Sequence, residues 1–217
     1  MVDIMNYEIK ENIKAIRENI AKTAEDCARN SDEIKLVAVS KTHPAQAVQE
    51  AYESGQIIFG ENRIQELEEK VKALPEDIEW HMIGHLQRNK ALSALENAAY
   101  IHSVDRMKLL NRLEFLAEKH DLSSKILLEI NISGEESKFG TTDTEQAIEL
   151  AGKALKCTHL EFKGLMTMAP YGAEEKQLHG IFSSLRELRD KMEKTLNIKL
   201  PELSMGMSSD YKAAIQE

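Results

Sequence analysis

The sequence predicts a parallel α/β protein, and a TIM-type (β/α)8 barrel better than an open sheet. Short apolar segments alternate with amphipathic helical segments seven times, after one extra N-terminal helix. Parallel strands need helical crossovers, so this alternation indicates a parallel sheet. The last helical segment, 208–216, has no strand after it. A barrel whose last strand is missing therefore fits the count, and a doubly wound open sheet is the alternative.

The first elements illustrate how the assignment is made. Segment 3–29 carries isoleucines at steps of three or four, which predicts an amphipathic helix. Segment 35–40 is nearly continuous in apolar and β-branched residues, as strands covered on both faces are. Pro44 suits the first turn of the following helix, and Gly55 suits its end.

The later elements follow from the same two patterns. Further strands are predicted at 56–60, 79–83, 100–104, 125–132, 162–166 and 200–204. Further helices are predicted at 63–74, 88–98, 106–119, 143–155, 174–194 and 208–216. The helix 174–194 has the strongest amphipathic pattern, because its apolar residues recur at steps of three or four throughout.

Composition predicts one globular domain over residues 1–217, with 42% hydrophobic and 30% charged residues and no linker. The net charge of −9 argues against binding to nucleic acid or to an anionic membrane. No apolar run approaches the ~18 residues of a membrane span, and residues 1–8 lack the features of a signal peptide. Cys27 and Cys157 form no C-x-x-C pair, which favours a reducing, cytoplasmic compartment. A lone barrel is compatible with a monomer.

Lys41 is the most informative residue for function. In parallel α/β folds, functional side chains collect after the carboxyl ends of the strands. Lys41 directly follows the apolar strand 35–40, so we expect its amine at the barrel mouth, shielded from open water. A desolvated, neutral amine attacks carbonyl groups and forms Schiff bases. The alternatives are a lysine that merely reaches past the strand end, or an ion pair with Glu61.

The segment 204–210 follows the last predicted strand and offers an anion site. A glycine turn with hydroxyl residues at a helix start presents backbone N–H groups to an anion. Barrel enzymes often bind phosphate in this region. The alternative is ordinary helix capping by Ser208 or Ser209. Together with Lys41, the segment suggests a ligand with an aldehyde and a phosphate, either pyridoxal phosphate or a sugar phosphate.

Two other features carry less weight. His81 and His85 have H-x-x-x-H spacing, but no glutamate lies between them and His81 ends a strand. We therefore expect no metal site, and expect His81 to line the pocket or to be hydrogen-bonded. Lys138 lies in a loop between Gly134 and Gly140, which suggests a flap over the mouth or a solvated surface lysine.

Four motifs make the sequence similar to the pyridoxal phosphate homeostasis protein family, whose fold resembles the N-terminal barrel of alanine racemase. They are LVAVSKT at 36–42, FGENRIQE at 59–66, WHMIGHLQRNK at 80–90 and LSMGMSSD at 203–210. Weaker matches lie at 101–105, 131–140 and 164–168. The third and fourth motifs are specific, and the match runs from about residue 35 to the end of the sequence.

The resemblance implies a site for pyridoxal 5'-phosphate with Lys41 as the Schiff-base lysine. The cofactor-binding residues expected from it and from the strand ends are Lys41, Asn62, His81, Ser103, Met166, Ser204, Gly206, Met207 and Ser208. Ser204, Met207 and Ser208 are expected at the phosphate, and Lys138 in cofactor exchange. The resemblance further implies storage and delivery of the cofactor in vitamin B6 homeostasis, without catalytic turnover, and transient contacts with apoenzymes are expected.

The sequence departs from the family at its end. Family members continue past segment 211–217 into a last strand with an Arg-Ile-Gly type motif, so an open seam is expected between the first and seventh strands. The alternative function is a pyridoxal-phosphate-dependent amino-acid racemase. Such an enzyme needs a second base from a C-terminal β domain, for which 217 residues leave no room. A Schiff-base aldolase acting on sugar phosphates is permitted by Lys41 and Ser208, but the motifs do not suggest it.

Overall fold

The computed structural model describes residues 4–135 and 139–217, with side chains described from residue 8. In these residues the chain forms eight α-helices and seven strands. The helices are α1 (Ile4–Asp26), α2 (Ala45–Glu53), α3 (Ile64–Ala73), α4 (Ala91–Asn97), α5 (Met107–His120), α6 (Thr144–Ala154), α7 (Glu175–Leu196) and α8 (Tyr211–Gln216). The strands are β1 (Ala38–Val39), β2 (Ile58–Glu61), β3 (Glu79–Met82), β4 (Tyr100–Val104), β5 (Ser124–Glu129), β6 (Leu160–Met166) and β7 (Glu202–Ser204).

The strands form one parallel sheet in the order in which they occur along the chain, β1 to β7. A doubly wound sheet would reverse its strand order at a switch point, so that alternative is wrong. Within the described residues β1 pairs only with β2, and β7 only with β6. The sheet therefore has the order of a barrel, with a seam between β1 and β7.

The predicted elements are confirmed in type, and their ends differ where pairing stops. The predicted strands 35–40 and 200–204 shorten to β1 and β7 because each has a neighbour on one side only. The predicted strand 125–132 ends at Glu129, where the chain turns into the following loop. The predicted helix 88–98 opens with a turn of 3-10 helix at Arg88–Lys90 before α4 begins.

The main core lies between the sheet and the ring of helices. Alternate strand residues such as Phe59, Trp80, Ile101 and Ile126 face outward and are buried against the helices. Each fully buried large apolar side chain contributes about 1.5–3 kcal/mol. On the outside, α8 contacts both α7 and α1, so the helical layer continues across the seam that the strands leave open.

Candidate functional site

Lys41 lies two residues beyond β1 and is exposed. The preceding residue, Ser40, points beneath α3, where its hydroxyl donates to Glu61 Oε1 at 2.7 Å. Residues at a strand end alternate in direction, so Lys41 is directed to the opposite side, toward the inside of the barrel. The expectation that Lys41 is shielded from water is wrong, because it follows a sheet edge with a neighbouring strand on one side only.

Glu61 is paired with a different lysine. Lys70, from α3, is buried beside Glu61, forms an ion pair with it, and donates to the Ser40 carbonyl oxygen at 2.7 Å. A fully buried carboxylate needs such a partner, because an unpaired charge in the interior is costly. The alternative in which Lys41 pairs with Glu61 is therefore wrong. The buried pair supports the strand end from which Lys41 projects.

An ion pair spans the seam at the amino end of the barrel. Lys35 Nζ, just before β1, lies 2.5 Å from Glu202 Oε1, at the start of β7. Lys41 follows Lys35 by six residues, and Ser208 follows Glu202 by six. Both segments run in the same direction through a parallel sheet. Lys41 and the 204–210 loop therefore leave the two edge strands at the same end of the barrel.

The 204–210 loop has a glycine-dependent turn. Gly206 has φ +86°, and a Cβ there would lie 2.8 Å from Tyr211 Cα and 2.9 Å from Ala214 Cβ. Ser204 and Gly206 are half-buried, whereas Met207 and Ser208 are exposed. The N-cap of α8 is Asp210, so the alternative of capping by Ser208 or Ser209 is wrong. The Asp210 carboxylate instead accepts from the backbone N–H of Met207 and fixes the turn.

Asn62 follows β2 and is half-buried at the mouth. Its backbone packs against Gly84, where a Cβ would lie 2.2 Å from the Asn62 carbonyl oxygen. No larger residue fits at position 84 without moving one of the two strand ends. The glycine in the WHMIGH segment thus sets the position of Asn62.

A chain of four polar side chains crosses the inside of the barrel. His81 Nε2 lies 3.0 Å from Glu79 Oε1, and His81 Nδ1 lies 2.8 Å from His102 Nε2. His102 Nδ1 lies 2.9 Å from Ser204 Oγ. Burial lowers the pKa of His81, and it lowers the pKa of His102 to about 3. The expectation that His81 is hydrogen-bonded is confirmed, and the chain connects it to Ser204.

Two predicted site residues, Met166 and Ser204, lie side by side on neighbouring strands with a residue that was not predicted, Glu129. Glu129 pairs in register with Met166, and Met166 with Ser204, so the three residues share the inner face. Met166 and Glu129 are buried. Burial, and secondarily the charge of Asp105, raise the pKa of Glu129 to about 7.

Polar atoms near the mouth are left without partners. Ser103 is fully buried at the carboxyl end of β4, and its Oγ has no hydrogen-bond partner among the described residues. The same holds for Glu129 Oε2. A buried polar atom without a partner costs about 1–3 kcal/mol, so both atoms are candidates for contact with a ligand.

The loop after β5 returns to the mouth of the barrel. Its base is closed by Asn131 N, which donates to the Thr141 carbonyl at 3.0 Å. Phe139 stacks on His85, with ring centroids 3.6 Å apart. Lys138, the predicted exchange residue, lies outside the described residues. In residues 4–135 and 139–217, no cluster of three or more His, Cys, Asp or Glu side chains has the arrangement of a metal site.

Sequence reasoning missed Glu79, His102 and Glu129. All three lie on strands, where alternation predicts which side they face but not which side chains meet across the barrel. The available signal was a polar residue within an otherwise apolar strand, as at His102 and Glu129.

The fold and the sequence place the chain in a known class of barrel proteins. Residues 12–216 match the family described as "Alanine racemase, N-terminal domain". The pyridoxal phosphate homeostasis protein of Aquifex aeolicus is 38% identical over 208 residues, covering 95% of this chain and 91% of that protein. The human protein of the same name is 38% identical, covering 94% of this chain and 79% of its own length.

A solved structure gives the same result. The structure of PipY from Synechococcus elongatus with PLP bound has a TM-score of 0.78 and 35% identity, covering 90% of this chain and 92% of that chain. The chain therefore belongs to the family of pyridoxal phosphate homeostasis proteins. In the part of the chain that the structure describes, no helix combines the length and the apolar character that crossing a bilayer requires.

Proposed function

We propose that the protein binds pyridoxal 5'-phosphate at the carboxyl ends of its strands and takes part in intracellular vitamin B6 homeostasis by storing and delivering it. Lys41 holds the cofactor as a Schiff base. The observation that carries the proposal is the Lys35–Glu202 ion pair across the seam. Because this pair joins the edge strands β1 and β7, which run parallel, the Lys41 amine and the 204–210 loop lie at the same end of the barrel. The PLP-bound relative adds support from outside this chain.

The residues present fit the cofactor by their chemistry. The Gly206 turn leaves no room for a Cβ and exposes Met207 and Ser208 beyond it, as expected of backbone that receives an anion. Ser103 Oγ is a buried hydroxyl without a partner among the described residues. When bound, pyridoxal phosphate supplies an aldehyde that reacts with amines.

Each proposed site residue then has one task. Lys41 supplies the amine, while Ser204, Gly206, Met207 and Ser208 surround the phosphate. Asn62, Ser103 and Met166 border the ring. His81 acts one layer deeper, because both of its ring nitrogens are already bonded within the protein.

Storage and delivery, without turnover, is the proposed activity. An exposed Lys41 at an open mouth is reached easily by water and by other amines, which favours release over the closed chemistry of an enzyme. Cys27 and Cys157 are free thiols, which supports a reducing, cytoplasmic compartment. We propose that the protein acts as a monomer there and meets cofactor-dependent apoenzymes transiently, with Lys138 assisting exchange.

The test uses the visible absorbance of the lysine-bound cofactor. Addition of pyridoxal 5'-phosphate to the purified protein is expected to give an absorbance band that borohydride abolishes, with the label on Lys41 in peptide mass spectrometry. Lys41→Arg keeps the charge but cannot form the bond, so it is expected to lose the band completely while unfolding like the wild type. Lys72→Ala, on an exposed face of α3, is the matched control and keeps the band.

Two outcomes contradict the proposal. One is a protein that stays colourless with excess cofactor, and the other is a label on a lysine other than Lys41. Racemisation of an amino acid faster than with free cofactor would instead favour the racemase.

A further inference from the structure

The chain Glu79–His81–His102–Ser204 has a direction that its protons determine. Both histidines are almost fully buried, and the chain uses all four of their ring nitrogens. A neutral imidazole has one N–H donor and one acceptor nitrogen. Burial lowers the pKa of both rings, so both are neutral near pH 7. Each ring therefore donates one hydrogen bond and accepts the other, so the direction of one bond in the series determines the direction of the next.

Glu79 sets that polarity because it stands at the end of the chain. An ionised carboxylate only accepts hydrogen bonds, so His81 carries its proton on Nε2. His81 Nδ1 then accepts from His102 Nε2–H. His102 Nδ1 is left without a proton and accepts from the hydroxyl of Ser204. The other tautomer on either ring would set two donors or two acceptors against each other.

We infer that Glu79 is a positioning residue that, through the two histidines, turns the hydroxyl proton of Ser204 away from the mouth. Ser204 thus meets a ligand as a hydrogen-bond acceptor only. This inference rests on the proposed function, in which Ser204 lies at the phosphate. The phosphate group then receives one hydrogen bond fewer from the protein, so the affinity of the protein for the cofactor is lower. A protein that must give its cofactor up benefits from such a limit on affinity.

The first measurement needs no cofactor. In protein labelled with 15N-histidine at pH 7, the ring nitrogen shifts are expected to place the proton on Nε2 of both His81 and His102. A proton on Nδ1 of His102 in the wild type would overturn the inference, whatever the protein binds.

The second measurement removes the charge of Glu79. The Gln side chain can donate to His81 Nε2, which lets the chain reverse and frees the Ser204 hydroxyl to donate. Glu79→Gln is expected to bind pyridoxal 5'-phosphate about ten- to a hundredfold more tightly, which is the worth of one hydrogen bond to a charged group. Its affinity for pyridoxal, which has no phosphate, is expected to stay within about twofold of the wild type.

Two controls separate this effect from general electrostatics. Glu161→Gln removes a negative charge from the same end of the barrel. Glu161 pairs with Lys163 and is not part of the hydrogen-bonded series from Glu79 to Ser204. It is expected to change the affinity less than twofold. In a Ser204→Ala background, Glu79→Gln is expected to have no effect. An equal gain from Glu161→Gln, or a gain that persists without Ser204, overturns the inference.

The two proposals fail separately. Wild-type tautomers as expected, together with no cofactor binding at all, would reject the proposed function and leave the hydrogen-bond direction standing. Normal cofactor binding with no response to Glu79→Gln would reject the positioning role alone.

Discussion

Two pairs of side chains at the amino end of the barrel differ from two buried polar groups at its carboxyl end. At the amino end, Lys35 bonds Glu202, and Lys125 Nζ lies 4.9 Å from the centre of the Tyr100 ring. At the carboxyl end, Ser103 Oγ and Glu129 Oε2 have no hydrogen-bond partner among the described residues. Pairing stabilises the fold, whereas unpartnered groups cost stability and gain only when a ligand arrives. We therefore expect the amino end to contribute mainly to stability, and the carboxyl end, which also contains the Lys70–Glu61 pair, to contain the proposed binding site.

The chain from Glu79 to Ser204 links the two ends. Its first member starts β3, and its last member ends β7. Substitutions at the amino end should therefore leave cofactor affinity unchanged unless they alter the hydrogen-bonded series from Glu79 to Ser204. Changes at the carboxyl end should alter both binding and stability.

The largest effect is expected from Gly206→Ala. A Cβ there meets Tyr211 and Ala214 at less than 3 Å, and φ is +86°. We expect the free energy of unfolding to fall by about 3 kcal/mol from clash and strain together. Cofactor affinity should fall more than about tenfold, because the 204–210 loop, which we propose holds the phosphate, is displaced. Urea unfolding and absorbance titration measure the two effects.

Gly172→Ala is the matched control for Gly206→Ala. Gly172 has φ +74°, but a Cβ there has no neighbour within 4 Å. This variant should lose only the strain of a positive φ, about 1 kcal/mol, and bind normally. If the two variants lose equal stability and affinity, the effect of Gly206→Ala does not come from the close contact of the loop with α8.

The next effect concerns the pH dependence of stability at Glu129. Burial raises its pKa from 4.5 to about 7, so the folded protein keeps a proton that the unfolded chain has lost. This contribution is fully present below about pH 4.5 and is lost as the pH rises through 7. Since one pKa unit corresponds to about 1.4 kcal/mol, the loss between pH 5 and pH 8 is about 2 kcal/mol.

Glu129→Gln tests this dependence, because an amide of the same shape does not titrate. Relative to the wild type, the variant should gain about 2 kcal/mol in unfolding free energy on going from pH 5 to pH 8. Glu161→Gln, at an exposed carboxylate on the next strand, provides the comparison. A difference between wild type and Glu129→Gln that does not change with pH would mean that the carboxyl is solvated.

The smallest effect is expected at the amino end. Lys125→Met removes the cation from the Tyr100 ring but keeps the apolar stem, and should cost about 0.5–1 kcal/mol. Cofactor affinity should be unchanged, while Lys125→Arg should retain the stability. Loss of binding in Lys125→Met would refute the division of roles between the two ends.

Most of the fold was predictable because its signals are local. The isoleucine spacing of α1 and the apolar segments of the strands depend only on periodicity within each segment. The family motifs likewise named Lys41, Asn62 and the 204–210 loop from short stretches of sequence. These residues stand at strand ends, which the order of elements already brings to one end of the barrel.

The parts that sequence reasoning missed depend on distant contacts. Lys70 replaces Lys41 as the partner of Glu61 because α3 lies over β2. Lys41 is exposed because it follows a sheet edge. Neither fact is a property of the residues near position 41.

The sequence by itself determined the order of strands and helices, the parallel sheet and the residues at its carboxyl end. Each of these follows from the period of the apolar residues and from the rule that parallel strands end together. Only the tertiary structure decided which side chains meet inside the barrel. Glu79, His102 and Ser204 come from three strands, and the curvature of the sheet, which no local pattern encodes, brings them into one hydrogen-bonded chain.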